Sequence, residues 1–333
     1  MSIYSESGWF SSHYELADKV CILGMLKSLC PDNINAESTP AQMIEQISEI
    51  IFEHNCQYAA TESLNIADNI RKLDETKKLD ALVLLIIVSC CQTDGLQDRL
   101  EILLSNWGDY FRVDDRIRLA LIALQKNDIA TLKNDNIIGE SYHNKSSRDH
   151  GLEQLGWFEY RRQMKCMKKG WEYKKLKEKY AFLNTIDEST LGGQLKKLLR
   201  AQKLSLPGER HGFAEFFLWH DLTHLLSDNK TNYPGELGAN VFTAACSKKG
   251  KIVIMLWGLM QFNLGVPLAV VATPGKNHLK ELSSVKNYLH SLQSGSKCTL
   301  DVLEWPIEEL HQDLKMDLSA VRRKYNIETS GQK

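Results

Sequence analysis

Apolar residues recur at helical spacing along most of this chain. After a Ser-Thr-Pro helix start at residues 38–40, the apolar positions of residues 43–51 follow one another at intervals of three and four. Residues 79–91 are apolar on every face, which predicts a central buried helix. The Asp-Gly pair at residues 94–95 is typical of a turn. Because strand-like alternation is scarce, the pattern predicts an all-α protein.

The order of apolar and polar stretches predicts two helical domains. Residues 11–127 form an N-terminal helical bundle in this interpretation, and residues 151–327 form a second, C-terminal domain. Residues 128–150 are polar and contain glycine, asparagine and serine, as expected of an interdomain linker. We expect His143 and His150 in this linker to contact only solvent.

One long uncharged segment raises the question of a membrane. Residues 252–272 carry no charge over 21 positions, which is long enough to cross a hydrocarbon core. Pro267 and several polar residues interrupt this segment. We therefore predict a buried helix that ends near Phe262, followed by a short apolar connection. A bilayer span and a surface that touches lipid remain the alternatives.

Charge is unevenly distributed along the 333 residues, although the formal net charge is only −1. Residues 161–203 contain 13 Lys and Arg against 4 Asp and Glu. Such a basic excess predicts either attraction to an anionic membrane face or a solvated helix surface. No recognised nucleic-acid-reading module accompanies the charge, so we expect no nucleic-acid partner.

The eight cysteines are scattered and form no Cys-x-x-Cys pair. Several lie in apolar helical runs, which predicts reduced, buried thiols and a cytoplasmic setting. Residues 1–8 have neither the basic-then-apolar order of a signal peptide nor the arginine-rich composition of a transit peptide. We expect a cytoplasmic protein with peripheral contact to the inner face of the cytoplasmic membrane.

Four residues give the sharpest chemical signal, in the pattern His-Asp-x-x-His followed by eleven residues and Glu. His220 and His224 lie four residues apart, one turn above one another on a helix. Asp221 and Glu236 add carboxylates, and two imidazoles with carboxylates suit zinc and similar divalent metals. Glu236 alone would predict only a favourable first-turn charge. Asp221 could be a direct ligand, a group that orients an imidazole, or an acid/base partner.

This motif resembles the signature of the ubiquinone (coenzyme Q) biosynthesis family of the fourth coenzyme Q assembly factor. The resemblance runs from about residue 189 to the end, and residues 303–306 and 318–327 are similar to that family's C-terminal helix. The chain departs from the family pattern just before the motif, where Phe-Phe-Leu-Trp at residues 216–219 replaces a run that usually holds an arginine. It also departs just after the second histidine, where Ser-Asp-Asn at residues 227–229 replaces a common glycine.

The resemblance implies a function in quinone synthesis. It implies one divalent metal, with zinc expected, at His220, Asp221, His224 and Glu236. It implies a polyprenylated hydroxybenzoate or quinone precursor whose ring carboxyl is replaced by hydroxyl, with the segment from Ile252 sheltering the prenyl chain. Other quinone biosynthesis proteins and a second copy of this chain are the expected protein partners. The alternative is a metal-stabilised prenyl-lipid-binding scaffold without turnover.

Two further interpretations have less support in the sequence. His-Asp pairs also occur in metal phosphohydrolases, where His211 and Asp228 would have to complete the site and Glu236 would have no role. Residues 88–95 resemble tellurite-resistance TerB-like helical domains over a short stretch. The N-terminal bundle carries no concentrated set of catalytic residues, so its purpose is not predicted.

Overall fold

The computed structural model describes residues 9–10, 13–30, 35, 37–108, 110–111, 113–133, 142–269 and 272–329. The N-terminal segment 1–8 and residues 134–141 of the predicted linker lie outside the described residues. Within the described ranges the regular structure is helical, and β-structure is limited to two isolated bridges, Thr190 with Asp317 and Leu264 with Lys276. The predicted all-α class is confirmed.

Sixteen α-helices follow one another in the described part of the chain. They are α1 (Leu16–Lys27), α2 (Thr39–Gln46), α3 (Ile66–Ile70), α4 (Glu75–Cys90), α5 (Leu96–Ser105), α6 (Asp115–Gln125), α7 (Ile129–Leu132), α8 (Tyr142–Lys169), α9 (Lys174–Lys179), α10 (Leu191–Ala201), α11 (Trp219–Leu226), α12 (Tyr233–Cys246), α13 (Lys251–Phe262), α14 (Leu282–Lys297), α15 (Ile307–Asp313) and α16 (Leu318–Lys324). A π-helical turn, Ile47–Ile51, continues α2, and a 3₁₀ turn, Glu215–Phe217, precedes α11.

The residues that predicted helix boundaries act as such in the structure. The Ser38 hydroxyl accepts a hydrogen bond from the Ala41 amide at 3.4 Å, which caps the first turn of α2. Gly95 adopts a left-handed backbone with φ of 67° immediately before α5. The Ser38 hydroxyl satisfies a free backbone amide at the start of α2, and Gly95 turns the chain into α5. The predicted starts of these two helices are therefore confirmed.

The chain divides into two compact units that are not consecutive in sequence. Unit 1 comprises Met1–Tyr142 and Thr231–Lys297, and unit 2 comprises His143–Lys230 and Cys298–Lys333. This division differs from the predicted consecutive domains 11–127 and 151–327. The physical reason is that α12 to α14 pack with one another and against α2 and α4, which joins them to the N-terminal helices.

The described parts of the predicted linker include helix. Its residues 142–150 belong to α8. The His150 imidazole lies 2.9 Å from the Trp305 carbonyl oxygen within unit 2, so the expectation that it contacts only solvent was wrong. The side chain of His143 lies outside the described residues. Polar composition did not prevent a helix here.

The core of unit 1 is built around α4, whose side chains from residue 80 to residue 90 are buried. The Asn263 side chain donates hydrogen bonds to the carbonyl oxygens of Cys90 and Cys91, each at 2.9 Å, and so satisfies the carbonyls at the end of α4. The same side chain accepts a hydrogen bond from the Leu279 amide at 3.0 Å. One buried asparagine thus ties the end of α4 to the two ends of the connection between α13 and α14.

Helix α13, Lys251–Phe262, is the predicted buried helix of the uncharged segment, and it ends at the predicted residue. Trp257 is its one partly exposed large apolar side chain, because the others lie in the core of unit 1. The segment's expected role in sheltering a prenyl chain stays a prediction. In the described part of the chain, no helix combines the length and the apolar character that a membrane crossing requires.

Unit 2 places α10, α11 and α16 together. The α10 N-terminus is held by backbone hydrogen bonds from Gly192 to the Leu314 carbonyl at 2.8 Å and from Leu191 to the Met316 carbonyl at 2.9 Å. Near α16, the buried Asp313 carboxylate accepts hydrogen bonds from the Lys324 ammonium at 2.8 Å and from the Tyr325 hydroxyl. These contacts hold α10 and the region of α16 in place, and α11 packs against both helices.

All eight cysteines are free thiols. Five of them are buried, namely Cys30, Cys90, Cys91, Cys166 and Cys246. Burial raises the pKa of Cys90 and of Cys91 to about 12, so these thiols stay protonated and unreactive at neutral pH. This agrees with the prediction of small buried hydrophobic residues.

Candidate metal centre

Helix α11 carries both histidines of the motif. His220 and His224 are one turn apart, with ring centroids 5.0 Å apart and ring planes at 71°. Their environments differ sharply, since the His220 side chain is 51 % exposed while His224 is only 2 % exposed. One imidazole therefore faces solvent and the other belongs to the protein interior.

The turn after α11 begins with a tight reversal. The Asn229 amide donates to the His224 carbonyl at 2.9 Å, and Asp228 adopts a left-handed backbone with φ of 59°. Asparagine and aspartate tolerate this conformation better than other side chains. The polar Ser-Asp-Asn run, which departs from the resembled family's pattern, thus terminates α11 without a glycine.

Helix α12 begins with a well-formed cap that sets the position of Glu236. The Asn232 side chain accepts a hydrogen bond from the Gly235 amide at 3.1 Å, and its carbonyl accepts one from the Glu236 amide at 2.7 Å. Pro234 lies at the second helical position, and Glu236 lies in the first turn, where its charge was expected. The half-buried Glu236 carboxylate is therefore fixed to the rigid start of a helix.

Three of the four predicted ligands come together. His220, His224 and Glu236 each offer one ligand atom, and these three atoms all lie within 4.8 Å of one another. The Asp221 carboxylate is not part of this group. It is buried and lies 3.9 Å from Nδ1 of His220.

The donor set and its spacing fit a divalent metal. Two imidazole nitrogens and one carboxylate oxygen form one of the three-ligand sets of catalytic zinc sites, which leave a position open for water or substrate. Ligand atoms on one tetrahedral zinc ion lie roughly 3.3 Å apart, because zinc–ligand bonds are about 2.0–2.1 Å long. The three ligand atoms lie within 4.8 Å of one another, and the side chains of His220 and Glu236 are not fully buried.

Arg322 secures the end of α11 that follows His224. Its guanidinium donates to the Leu226 carbonyl at 3.0 Å and to the Leu225 carbonyl at 2.7 Å, and it lies 3.6 Å from the Asp228 carboxylate. These carbonyls have no partner within the helix, and a cation at a helix C-terminus also interacts favourably with the helix dipole. Burial lowers the pKa of Arg322, opposed by the charge of Asp228.

Glu215 fixes the segment that leads into α11. Its buried carboxylate accepts hydrogen bonds from the Gln163 amide at 2.7 Å, the Lys179 ammonium at 2.7 Å and the Tyr180 hydroxyl at 2.9 Å. Burial and the neighbouring Glu215 charge raise the pKa of Tyr180 well above its usual value. Because every oxygen of this carboxylate is engaged, Glu215 holds the structure together and is not available as a ligand.

The structure gives other contacts to the residues of the phosphohydrolase alternative. The His211 ring lies 3.2 Å from the Met167 carbonyl oxygen through Nδ1, and the Asp228 carboxylate faces Arg322. Neither residue belongs to the group of converging ligand atoms found among the described residues. Sequence reasoning did not assign roles to Arg322 or Glu215, because no spacing rule connects them to α11.

No protein-family model, no curated protein and no solved structure matches this chain. The likeness to the ubiquinone biosynthesis family therefore stays a prediction that rests on the motif and its spacing. The convergence of His220, His224 and Glu236 is a separate observation, since it depends on the fold and not on any relative.

Proposed function

We propose that this protein binds one divalent metal, zinc in the first instance, through His220, His224 and Glu236, and uses it on a polyprenylated hydroxybenzoate or related quinone precursor. The observation that carries the metal proposal is the placement of three ligand atoms within 4.8 Å. The substrate class is supported by the spacing of the motif, which resembles that of the ubiquinone biosynthesis family.

The donor set suits an anionic aromatic substrate. When bound, a divalent metal polarises a carboxylate or phenolic oxygen and lowers the pKa of bound water. Two neutral imidazoles and one carboxylate leave such a site with net positive charge, which favours a ring carboxylate. The exposed side of His220 offers an approach from solvent. The proposed exchange of the ring carboxyl for hydroxyl is a two-electron oxidation: overall, the ring acid, water and dioxygen give the phenol, carbon dioxide and hydrogen peroxide. Zinc has no redox chemistry and would only hold and polarise the substrate, so the assay supplies dioxygen and measures carbon dioxide and peroxide.

Asp221 is proposed to position His220. A carboxylate near the second ring nitrogen of a metal-bound histidine fixes the orientation of the ring and raises its basicity. The distance of 3.9 Å between Asp221 and Nδ1 of His220 is slightly longer than a hydrogen bond and would need a small rotation of the exposed ring. The second role proposed for Asp221 is that of an acid/base partner to the substrate.

A polyprenylated substrate resides in a lipid bilayer, so the proposal includes peripheral contact with a membrane and with other quinone biosynthesis proteins. The scaffold alternative keeps the metal and the lipid but has no turnover. It predicts normal metal content together with normal precursor binding and no product. Assays of metal content and product formation on the same preparation therefore separate the two.

The metal proposal is tested by elemental analysis of the purified protein. We expect about one divalent metal per chain, and His224→Ala should lose it, because this ligand sits on the rigid, buried side of the group. His211→Ala is the matched control, since the His211 ring lies against the Met167 carbonyl and is not part of the group of ligand atoms. Equal metal content in wild type and His224→Ala would refute the site, and loss only in His211→Ala would favour the phosphohydrolase alternative.

The pathway proposal is tested by complementation of a strain that lacks the ubiquinone factor. We expect wild type to restore quinone synthesis and Glu236→Ala to fail, with folding of both checked by circular dichroism. Rescue by both chains would favour the scaffold. Failure of the wild type, in a chain that binds metal and folds, would remove the quinone assignment and leave the metal site intact.

A further inference from the structure

Three large aromatic side chains are exposed in α8 and just after it. Trp157 is 56 % exposed, Phe158 is 81 % exposed and Trp171 is 56 % exposed. Among the tryptophan and phenylalanine side chains that the structure describes, these are the exposed ones. Aromatic rings of this size gain more than most side chains from leaving water, so three of them close together in sequence on one unit mark an interaction surface.

Cations accompany the aromatic rings along the same helix face. Trp157, Arg161 and Lys165 are spaced four residues apart, so they lie on one side of the helix. The Arg161 guanidinium lies 5.4 Å from the centre of the Trp157 ring, and the Lys165 ammonium lies 5.1 Å from that of Trp171. We call Trp157, Phe158 and Trp171, together with the basic residues of positions 161–169, the aromatic–basic stripe.

The helix break at Gly156 determines where the stripe begins. Gly156 has φ of 73° and ψ of 162°, which interrupts the helical backbone and starts a new helical segment at Trp157. A side chain at Gly156 would meet no atom within 4 Å, so the space beside the break is open. The glycine is therefore needed for its backbone conformation and not for close packing.

The charge around the stripe is strongly positive. Residues 157–179 contain nine Lys and Arg against three Glu. Each glutamate has a basic neighbour: Glu172 pairs with Lys177 at 2.7 Å, Glu178 with Lys174 at 3.8 Å, and Glu159 with Lys175 at 3.9 Å. Five cations make no ion pair within the described part of the chain, namely Arg161, Arg162, Lys165, Lys168 and Lys169.

We infer that the aromatic–basic stripe docks this protein onto an anionic lipid bilayer. Tryptophan and phenylalanine enter the boundary between headgroups and acyl chains, while lysine and arginine attract anionic headgroups. The arrangement meets both requirements, since Arg161 and Lys165 lie beside its rings and its five cations make no ion pair in the described part of the chain. The inference deepens the peripheral membrane contact proposed above, and it does not depend on the metal or on quinone chemistry.

Two other occupants fit the stripe less well. A second copy of this chain docked through the same surface would bring the five unpaired cations against their own counterparts, which is repulsive. Single-stranded nucleic acid is bound in basic grooves with ring faces open for stacking. Here Arg161 and Lys165 lie over the rings of Trp157 and Trp171, and Phe158 projects from an exposed helix.

The test is a vesicle sedimentation assay with the full chain. We expect binding to vesicles of equal parts phosphatidylcholine and phosphatidylglycerol, weak binding to phosphatidylcholine alone, and loss of binding at high salt. The double variant Trp157→Ala/Phe158→Ala should weaken binding at least ten-fold, and Lys168→Ala/Lys169→Ala should weaken it about 25-fold, at about five-fold per cation. Leu16→Ala/Val20→Ala removes exposed apolar side chains of α1 and should bind as wild type does.

Several results would overturn the inference. Absence of binding to the anionic vesicles would do so, as would equal binding by wild type and the two stripe variants. Binding of a labelled single-stranded oligonucleotide through Trp157, without vesicle binding, would assign the stripe to nucleic acid. A Trp157-dependent dimer without vesicle binding would assign it to a second copy. Folding of each variant is checked by its thermal unfolding.

Failure of this inference is distinguishable from failure of the proposed function. His224→Ala should lose metal and keep vesicle binding, whereas Trp157→Ala/Phe158→Ala should keep metal and lose vesicle binding. A protein that binds metal but no vesicles would refute the docking surface and leave the metal site standing. A protein that binds vesicles but no metal would refute only the metal site.

Discussion

Arg322→Ala should destabilise the unit that carries α11. In the wild type the Arg322 side chain is only 14 % exposed and donates to the carbonyls of Leu225 and Leu226. A hydrogen bond with a charged donor contributes about 1.5–3 kcal/mol, and the favourable charge at the helix C-terminus adds about 0.3–1 kcal/mol. Because water can reach part of the vacated space, we expect a loss of about 2–4 kcal/mol in the free energy of unfolding.

Urea unfolding followed by circular dichroism measures this loss. With a slope of about 3 kcal/mol per molar urea, the transition of Arg322→Ala should move down by roughly 1 M. The neighbouring Arg323→Ala is the matched control, because Arg323 is exposed and its substitution should change the free energy by less than about 0.5 kcal/mol. If both variants unfold at the same urea concentration, the capping argument is wrong. Zinc affinity should also fall in Arg322→Ala, since His224 precedes the capped carbonyls by one and two residues.

Three further predictions concern pH, packing and metal. Burial raises the pKa of Asp80 to about 6, against its hydrogen bond from Tyr14. The folded state therefore binds the Asp80 proton more tightly than the unfolded chain does. As the pH rises from about 4 to 6, the free energy of unfolding of the wild type should fall by on the order of 2–3 kcal/mol relative to that of Asp80→Asn. Parallel curves of unfolding free energy against pH would contradict this. Gly193→Ala should destabilise by about 1–3 kcal/mol in urea, because its Cβ would lie 2.1 Å from the Asp187 carbonyl oxygen, although helix propensity alone predicts a gain of about 1 kcal/mol. Zinc at 100 times its dissociation constant should stabilise wild type by about 2.7 kcal/mol in the same assay and leave His224→Ala unchanged, and an equal effect on both would exclude this site.

Local features of the fold could be predicted because short-range physics determines them. The cap at Ser38, the left-handed turn at Gly95 and the end of α13 at Phe262 each depend on a few neighbouring residues. The grouping of helices into units could not be predicted in the same way. It depends on which apolar faces match across long stretches of chain, and the periodic pattern of α12 to α14 does not say which helices they contact.

In the candidate site, too, features set by nearby residues could be predicted and features set by distant residues could not. The separation of His220 and His224 by one turn of helix follows from their spacing in the sequence. The first-turn position of Glu236 follows from the cap before it. The role of Arg322 could not be predicted, because 96 residues separate it from the Leu226 carbonyl that it caps. The basic excess of residues 161–203 was visible in the sequence, but exposure of Trp157 and its neighbours required the fold.

The interleaved order of the two units affects how this protein can be made and cut. Unit 1 takes its last helices from Thr231–Lys297, so it cannot complete its core until the ribosome has synthesised most of the chain. A premature stop after residue 230 would remove α12 to α14 and leave the apolar faces of the N-terminal helices uncovered. Neither unit can be excised as one continuous fragment, and expressing either alone would require joining two separate stretches of the gene.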